Sequence, residues 1–360
     1  MTNIRRMLLA VAALLMTTGM LAASPSDKLF KRLKKIQKRT WNAYMFGHQD
    51  DTFYGLTWSW DKERSDTKEL VGDYPAVMGF DLGGIEMADK KNLDSVPFTR
   101  IEEEIIAQHE RGGIVTVSWH PRNPLTGGNA WDVTSKEVVK SILPGGKENA
   151  KFKLWMQRVG DFLSRLKTSK GEAVPVIFRP WHENNGSWFW WGHDLCTDSE
   201  YKALWNMLQD YLVKERGLDN LLWSYSPNLD GGWNLRRWYE RYPGDDRVSL
   251  IGEDAYQWGT EKEYVTALRA DLEFISVYAG NHGKLYALTE CGYKNNPDAT
   301  WFTRVFKKLV DNFEISYFLL WRNDKKEWFG PSKGQKCADD FIRLYKAENT
   351  LFLNDVKDIK

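Results

Sequence analysis

Two glutamates that each end a short apolar run are the strongest indication of chemistry in this chain. Glu183 ends the run VPVIFRPWHE, and Glu290 ends the run KLYALTE. An apolar run that stops on an acid beside aromatic residues is typical of a buried parallel strand that delivers a carboxylate to a cleft. Two carboxylates that face each other are the groups required to cleave a glycosidic bond. We therefore interpret this pair as candidate catalytic residues.

The neighbouring residues predict different protonation states for the two carboxyl groups. The aromatic run from Trp188 to Trp191 follows Glu183, and desolvation by these rings is expected to raise its pKa, which suits a general acid. Arg179 is expected to reach Glu290 from a neighbouring strand and to keep it ionised, which suits a nucleophile. A separation of about 5–5.5 Å predicts a retaining mechanism, and one of about 6.5–9.5 Å predicts inversion.

The elements that would position these residues form a repeating pattern of apolar runs, polar loops and amphipathic helical segments. Eight such alternations predict a parallel sheet that closes into a single (β/α)8 TIM barrel. An open doubly wound sheet is the alternative, but no glycine-rich phosphate turn follows the first strand. The predicted strands are 44–47, 76–80, 114–118, 176–178, 221–224, 250–252, 285–289 and 317–320, and the predicted helices are 150–167, 199–215, 263–278, 300–313 and 337–345.

Polar or aromatic residues follow every predicted strand, where the active site of a barrel is found. His48 and Asp50 are site-adjacent candidates after the first strand, and Glu253 and Asp254 form an acidic pair after the sixth, to which we assign no role. Aromatic residues in the loops 52–60 and 325–331 could either block one end of a cleft or provide further sugar platforms.

Several motifs together resemble glycoside hydrolase family 26, the retaining β-mannanases on a (β/α)8 barrel. RPWHENNGSWFWWG resembles the acid/base motif of that family, and YALTECGY resembles its nucleophile strand. The resemblance implies that Glu183 is the general acid/base and Glu290 the nucleophile. Further similar segments are GHQDDTFYG, SWHPRNP, ILPGG, YPGDDRVSLIGEDAY and YFLLWRND.

The same resemblance implies roles for residues around the reacting sugar. His120 and His182 would shape the site, Trp188 would form an aromatic wall beside the leaving side, and Tyr256 would donate a hydrogen bond to the nucleophile. Trp321 would be the platform under the reacting sugar.

The resemblance also implies that Arg322 holds the next sugar. The leading hypothesis is double displacement at β-1,4-mannosidic bonds of mannan, galactomannan or glucomannan, either endo-acting or mannobiose-releasing. The same machinery acting on β-1,3-xylan or mixed-linkage β-glucan is an alternative. A catalytically silent glycan-binding protein is another, although its expected mark, loss of one glutamate, is absent. We expect no metal and no cofactor, since the sequence has no HExxH motif and no clustered ligands.

Composition limits the possible partners. The chain has 360 residues, with 50 basic and 49 acidic side chains and a formal net charge of +1. This balance argues against nucleic acid binding, which needs a basic face. Aromatic residues make up 14% and include 18 tryptophans, so we expect some to line a surface for sugar rings. The resemblance implies β-mannan polysaccharide or oligosaccharide as the partner, and we expect a monomer.

The chain divides into four predicted segments. Residues 1–23 combine a basic start, an apolar core and a small-residue end, which predicts a signal peptide rather than a permanent membrane anchor. We therefore expect export to the periplasm or the medium. Residues 24–40 are expected to form an N-terminal helix packed on the outside, 41–350 the catalytic barrel and 351–360 a C-terminal tail.

Overall fold

Eight parallel strands follow one another in chain order around a closed barrel. In this computed structural model, which describes residues 23–232 and 235–360, the last strand pairs with the first, and Met45 lies opposite Tyr317. The predicted (β/α)8 barrel is confirmed, and the open doubly wound sheet is wrong. The strands are β1 (Tyr44–Gln49), β2 (Val77–Asp81), β3 (Ile114–Trp119), β4 (Val176–Pro180), β5 (Leu221–Tyr225), β6 (Leu250–Tyr256), β7 (Leu285–Gly292) and β8 (Tyr317–Leu320).

Helices connect the strands and cover the barrel. Thr197 begins one of them with a capping box shared with Glu200, which satisfies backbone groups at the helix start. Two segments predicted as regular α-helix contain π-helical stretches instead, at Tyr211–Glu215 and Trp301–Lys307. The α-helices are α1 (Pro25–Gln37), α2 (Asp66–Val71), α3 (Phe98–Glu110), α4 (Val138–Ile142), α5 (Asn149–Arg165), α6 (Asp198–Asp210), α7 (Leu235–Arg241), α8 (Glu261–His282), α9 (Lys308–Val310), α10 (Ala338–Tyr345) and α11 (Leu353–Val356), and a 3-10 helix covers Ile85–Met87.

The N-terminal helix closes the lower end of the barrel, the end at which the strands begin. Leu29, Leu33 and Ile36 of α1 belong to the same apolar cluster as the first inward-facing side chains of the strands. Arg32 donates to the carbonyls of Gly112 and two C-terminal residues, which fixes the helix beneath the strands. The helix predicted to pack on the outside of the barrel therefore lies beneath its lower end.

The C-terminal residues pack at the same end. A short strand β9 (Thr350–Leu351) pairs with the start of β1, and Leu351 lies opposite Met45. Leu351 and Val356 are buried in the cluster that contains α1. Residues 351–360 thus include packed structure at the base of the barrel.

Residues 1–22 of the predicted signal peptide lie outside the described residues. Within the described part of the chain, no helix combines the length and hydrophobicity required to cross a membrane. The cysteines there are buried and form no disulfide, namely Cys196, Cys291 and Cys337.

Candidate active site

The two glutamates identified from the sequence meet at the upper end of the barrel, where the strands end. Glu183 follows β4, and Glu290 lies in β7. One carboxylate oxygen from each of these residues and one from Asp254 lie within 4.8 Å of one another. Glu290 is 4% exposed, and Glu183 is half-buried. The two carboxyl groups therefore share one buried space, although they are distant along the chain.

The backbone at Glu183 adopts an uncommon conformation that positions its side chain. Its φ of 51° lies in the left-handed region, which is unfavourable for a residue with a Cβ. The Glu183 N–H donates to the Ser226 carbonyl at 2.8 Å, and its carbonyl accepts from the Gly186 N–H at 3.1 Å. These two bonds hold the turn that follows β4 over the barrel mouth.

An irregularity in β7 positions Glu290. Glu253 of β6 pairs with Leu288, but the next residue, Asp254, pairs with Glu290, so Thr289 is an extra residue in β7. Thr289 Oγ1 donates to Asp254 Oδ1 at 2.7 Å. The bulge therefore lets the consecutive side chains of Thr289 and Glu290 both reach the barrel interior.

Arg179 joins the carboxylates beneath the cleft. Its Nη1 donates to Asp254 Oδ2 at 2.8 Å and to Ser226 Oγ at 3.3 Å, and its Nη2 forms an ion pair with Glu290 Oε1. Arg179 is 2% exposed, so both ion pairs are shielded from solvent. We expected this contact between neighbouring strands, but β5 and β6 separate β4 from β7, and Arg179 instead reaches across the barrel interior.

Tyr256 supplies the second donor to Glu290. Its hydroxyl lies 2.7 Å from Glu290 Oε2, the contact that the resemblance implied. Burial and the nearby Glu290 raise the pKa of Tyr256 well above its usual value, so the hydroxyl keeps its proton. Because Arg179 binds the other oxygen, both oxygens of Glu290 are held.

Glu183 has an environment that favours its protonated form. Burial, and then repulsion by Glu290, raise the pKa of Glu183 to about 7. Trp188 Nε1 donates to Glu183 Oε2 at 2.5 Å and partly opposes this upward shift. A side chain at Gly186 would overlap the Trp188 ring, so glycine is required beneath this indole.

Asp254 is a site residue to which the sequence assigned no role. It is fully buried, and burial raises its pKa well above the usual range although Arg179 opposes the shift. Its spacing from Glu183 and Glu290 would suit the ligands of one cation, but Arg179 already supplies a positive charge to two of the three carboxyls. Strand alternation could have located it, because Asp254 lies on the same face of β6 as Leu250.

His120 and His182 form a buried chain with Asp81. His120 Nδ1 lies 2.7 Å from Asp81 Oδ2, and His120 Nε2 lies 3.0 Å from His182 Nε2. Burial lowers the pKa of His120, but the Asp81 carboxylate outweighs this effect and the net shift is upward. Burial and the positive charge of Arg179 lower the pKa of His182 well below its usual value. The sequence identified both histidines but not the role of Asp81, which depends on a contact between β2 and the end of β3.

Trp321 and Arg322 follow β8 on one side of the cleft. The Trp321 ring is half-buried and lies 6.4 Å from the His120 ring, measured between centroids. Arg322 pairs with Asp94 at 3.2 Å and with Asp324 at 2.5 Å. It borders a groove of about 560 Å³ that Trp60 also lines. Trp321 and Arg322 therefore lie at the mouth of the barrel, and Arg322 faces a groove there.

His48 and Asp50 lie below the cleft surface. His48 is 2% exposed and bonds to Asp51 at 2.7 Å, while Asp50 accepts from the Tyr54 hydroxyl at 2.6 Å. Most aromatic residues of the two loops proposed as gates or platforms are also buried, namely Phe53, Tyr54, Trp58, Trp328 and Phe329, whereas Trp60 is 46% exposed. These loops therefore use most of their rings for packing.

Comparison with known families identifies the chain. The model described as glycosyl hydrolase family 26 matches residues 21–330. The protein belongs to this family. Its carboxylate pair is therefore the candidate site of glycoside hydrolysis.

Relatives of this family 26 protein include both curated enzymes and solved structures. It is 32% identical to a mannan endo-1,4-β-mannosidase of Bifidobacterium adolescentis, with 89% of this chain aligned to 34% of that protein, so it spans about a third of that relative's length. It is 32% identical to a Bacillus subtilis enzyme of the same name, over 83% of this chain and 80% of that one. A family 26 β-mannanase structure from Bacteroides ovatus is similar, with 43% identity, a TM-score of 0.88 and coverage of 92% of this chain and 95% of that one.

Proposed function

We propose that this family 26 glycoside hydrolase cleaves β-1,4-mannosidic bonds in mannan with retention of configuration. The observation that carries the proposal is the pair of carboxyl groups, one favouring its protonated form and the other held by two donors, with oxygens within 4.8 Å. Retaining enzymes hold the two carboxyl groups about 5–5.5 Å apart and inverting enzymes about 6.5–9.5 Å apart, so this close approach of the oxygens supports retention. The similarity to proteins named as mannan endo-1,4-β-mannosidases supports mannan as the substrate.

In the first step, Glu290 attacks the anomeric carbon while Glu183 donates its proton to the leaving glycosidic oxygen. The bond between that carbon and the leaving oxygen breaks, and a covalent glycosyl ester forms on Glu290. Arg179 and Tyr256 hold the attacking carboxylate in position through the contacts at its two oxygens.

In the second step, Glu183 acts as a base. Ester formation removes the negative charge of Glu290, which is one cause of the raised pKa of Glu183. The pKa of Glu183 therefore falls, and its carboxylate takes a proton from the water that attacks the ester. The sugar leaves with its original anomeric configuration because two displacements have occurred at the same carbon.

The aromatic and basic residues around the pair would bind the polysaccharide. Trp321 is the proposed platform for the reacting sugar, Trp188 the wall beside the leaving part, and Arg322 the contact for the next sugar. His120 and His182 are proposed to shape the reacting subsite. The basic and apolar start of the sequence supports export, and we propose that the enzyme acts as a monomer in the periplasm or the medium.

A time course of products on several polysaccharides tests this function. We expect unbranched mannan and galactomannan to be cleaved much faster than β-1,3-xylan or mixed-linkage β-glucan, with β-anomers released first, as followed by NMR. Early products of many lengths would indicate endo action, whereas mannobiose alone would indicate release from a chain end. Faster cleavage of xylan or glucan, or initial release of α-anomers, would contradict the proposal.

A further inference from the structure

The lower end of the barrel carries a strong concentration of positive charge. Residues 25–39 contain seven basic side chains and one acidic side chain, whereas the whole chain has a formal net charge of +1. The remainder of the protein is therefore net acidic. This local excess of positive charge indicates a surface that attracts a negatively charged partner.

Five lysines provide most of this charge on the solvent face of α1 and at its end. The buried residues Leu29, Leu33 and Ile36 occupy one stripe of the helix. At 100° per residue, the lysines fall on the opposite side. All five side chains are exposed, namely Lys28, Lys31, Lys34, Lys35 and Lys38; we call them the α1 lysines.

Within the described part of the chain, none of the α1 lysines forms an ion pair with an Asp or Glu side chain. Lys34 donates to the Gly283 carbonyl at 3.4 Å and lies 4.6 Å from the centre of the Phe30 ring. Lys35 donates to the main-chain oxygen of Lys360 at 3.3 Å. Arg32 differs because several carbonyls fix its guanidinium, and Arg39 lies 3.8 Å from Asp355. The lysine charges are therefore available to an external partner.

An exposed tryptophan lies beside these lysines. Trp41 is 81% exposed, which is unusual for a ring of this size unless it contacts something outside the protein. It borders a groove of about 860 Å³ together with Lys34, Lys38 and Lys284. Lysine and tryptophan side by side match the interface of a membrane, where lysine meets lipid phosphate and the indole lies at the level of the headgroups.

We propose that this base face, formed by the α1 lysines and Trp41, docks on the surface of an anionic lipid membrane. The phosphate-bearing headgroups would bind the lysines, and Trp41 would insert at the interface. The catalytic mouth lies at the opposite end of the barrel, so docking would leave the carboxylate pair facing the polysaccharide. An acidic polymer would satisfy the lysine charges, but it gives no reason for an indole exposed among them. This inference does not depend on the proposed hydrolysis.

Vesicle sedimentation with the full chain tests the docking surface. We compare vesicles of phosphatidylglycerol mixed with phosphatidylcholine with vesicles of phosphatidylcholine alone. Changing the α1 lysines to glutamine is expected to weaken binding to the anionic vesicles by about a hundredfold or more. Trp41→Ala is expected to weaken it by roughly tenfold. The matched control changes five exposed lysines elsewhere to glutamine and is expected to have less than about a threefold effect: Lys136, Lys147, Lys153, Lys167 and Lys170.

All variants are expected to hydrolyse soluble substrate at the rate of the unchanged protein, because none of the altered residues lies near the carboxylate pair. Equal binding to neutral and anionic vesicles would overturn the proposal, as would equal losses in the α1 and control variants. If Trp41→Ala has no effect and dextran sulfate displaces the protein from the vesicles, the surface recognises acidic polymers and not a membrane, which would also overturn it.

Discussion

The two ends of the barrel interior are built from the same eight strands but have opposite chemistry. At the lower end, inward side chains such as Met45, Val77 and Ile177 form an apolar layer that α1 closes with Leu33. At the upper end, a buried guanidinium, Arg179, is surrounded by carboxyl groups. The apolar core and the charged site therefore lie only a few residues apart along the same strands.

The two ends have different uses, since the lower end stabilises the fold and the upper end is the proposed site of the chemistry. Burial of apolar surface contributes about 25 cal/mol per Å², so the lower layer stabilises the barrel. Buried ion pairs gain little net stability, because desolvation offsets their attraction. We therefore attribute the upper layer to the proposed catalysis. Changes at the mouth should mainly affect turnover, and changes at the base should mainly affect stability.

The largest expected effect at the mouth is that of Glu290→Ala. Without the nucleophile, no glycosyl ester forms, and we expect kcat on mannan to fall on the order of 10⁴-fold or more. Arg179 keeps Asp254 as a partner, so the protein should remain folded by circular dichroism. Azide should restore turnover of an activated β-mannoside and give the α-mannosyl azide. Residual activity near that of the unchanged enzyme would show that Glu290 is not the nucleophile.

Replacement of Glu183 tests the general acid at the mouth. Glu183→Ala should lower kcat/KM on mannan by roughly 10³-fold, because the natural leaving oxygen needs a proton. A dinitrophenyl mannobioside should lose much less in the same measurement, since its leaving group departs as an anion. With azide, this variant should give the β-mannosyl azide. Equal losses in kcat/KM on both substrates would contradict the acid role.

The corresponding change at the base is Leu33→Ala. Leu33 is fully buried, so its truncation leaves a cavity and should lower the free energy of unfolding by about 2–5 kcal/mol. Leu154→Ala on α5 is the matched control, because that side chain is 45% exposed and should cost less than about 0.5 kcal/mol. Urea unfolding measures both values. The comparison between the two ends fails if Leu33→Ala lowers kcat while leaving stability unchanged.

A smaller effect is expected from pH. The pKa of Glu183 is about 7, so its protonated fraction, and with it kcat/KM on mannan, should fall about tenfold for each pH unit well above this value. The folded state favours the neutral carboxyl, so its contribution to stability should also be lost as pH rises through about 7. A pH–rate profile measures the first effect. Activity that stays constant to about pH 9 would contradict the raised pKa.

Sequence patterns were sufficient for some parts of this molecule and insufficient for others. The eight strands and the approach of Glu183 to Glu290 follow from local apolar runs, because parallel strands of a closed barrel end at one mouth. Strand alternation places Asp254 on the inward face of β6, but its ion pair with Arg179 and the position of α1 could not be predicted, since they depend on packing across the barrel. The bulge at Thr289 likewise has no signal in the local pattern, because it is defined only by the pairing of β6 with β7.

In the proposed mechanism, Glu290 carries the sugar between two displacements while Glu183 transfers the proton. Mass spectrometry of the protein after reaction with an activated 2-deoxy-2-fluoro-β-mannoside tests it most directly, because the fluorine slows breakdown of the glycosyl ester. We expect one sugar per chain, attached to the peptide that contains Glu290, and no label in Glu290→Ala. Attachment to Glu183 or Asp254, or hydrolysis of this substrate with inversion and no label, would contradict the mechanism.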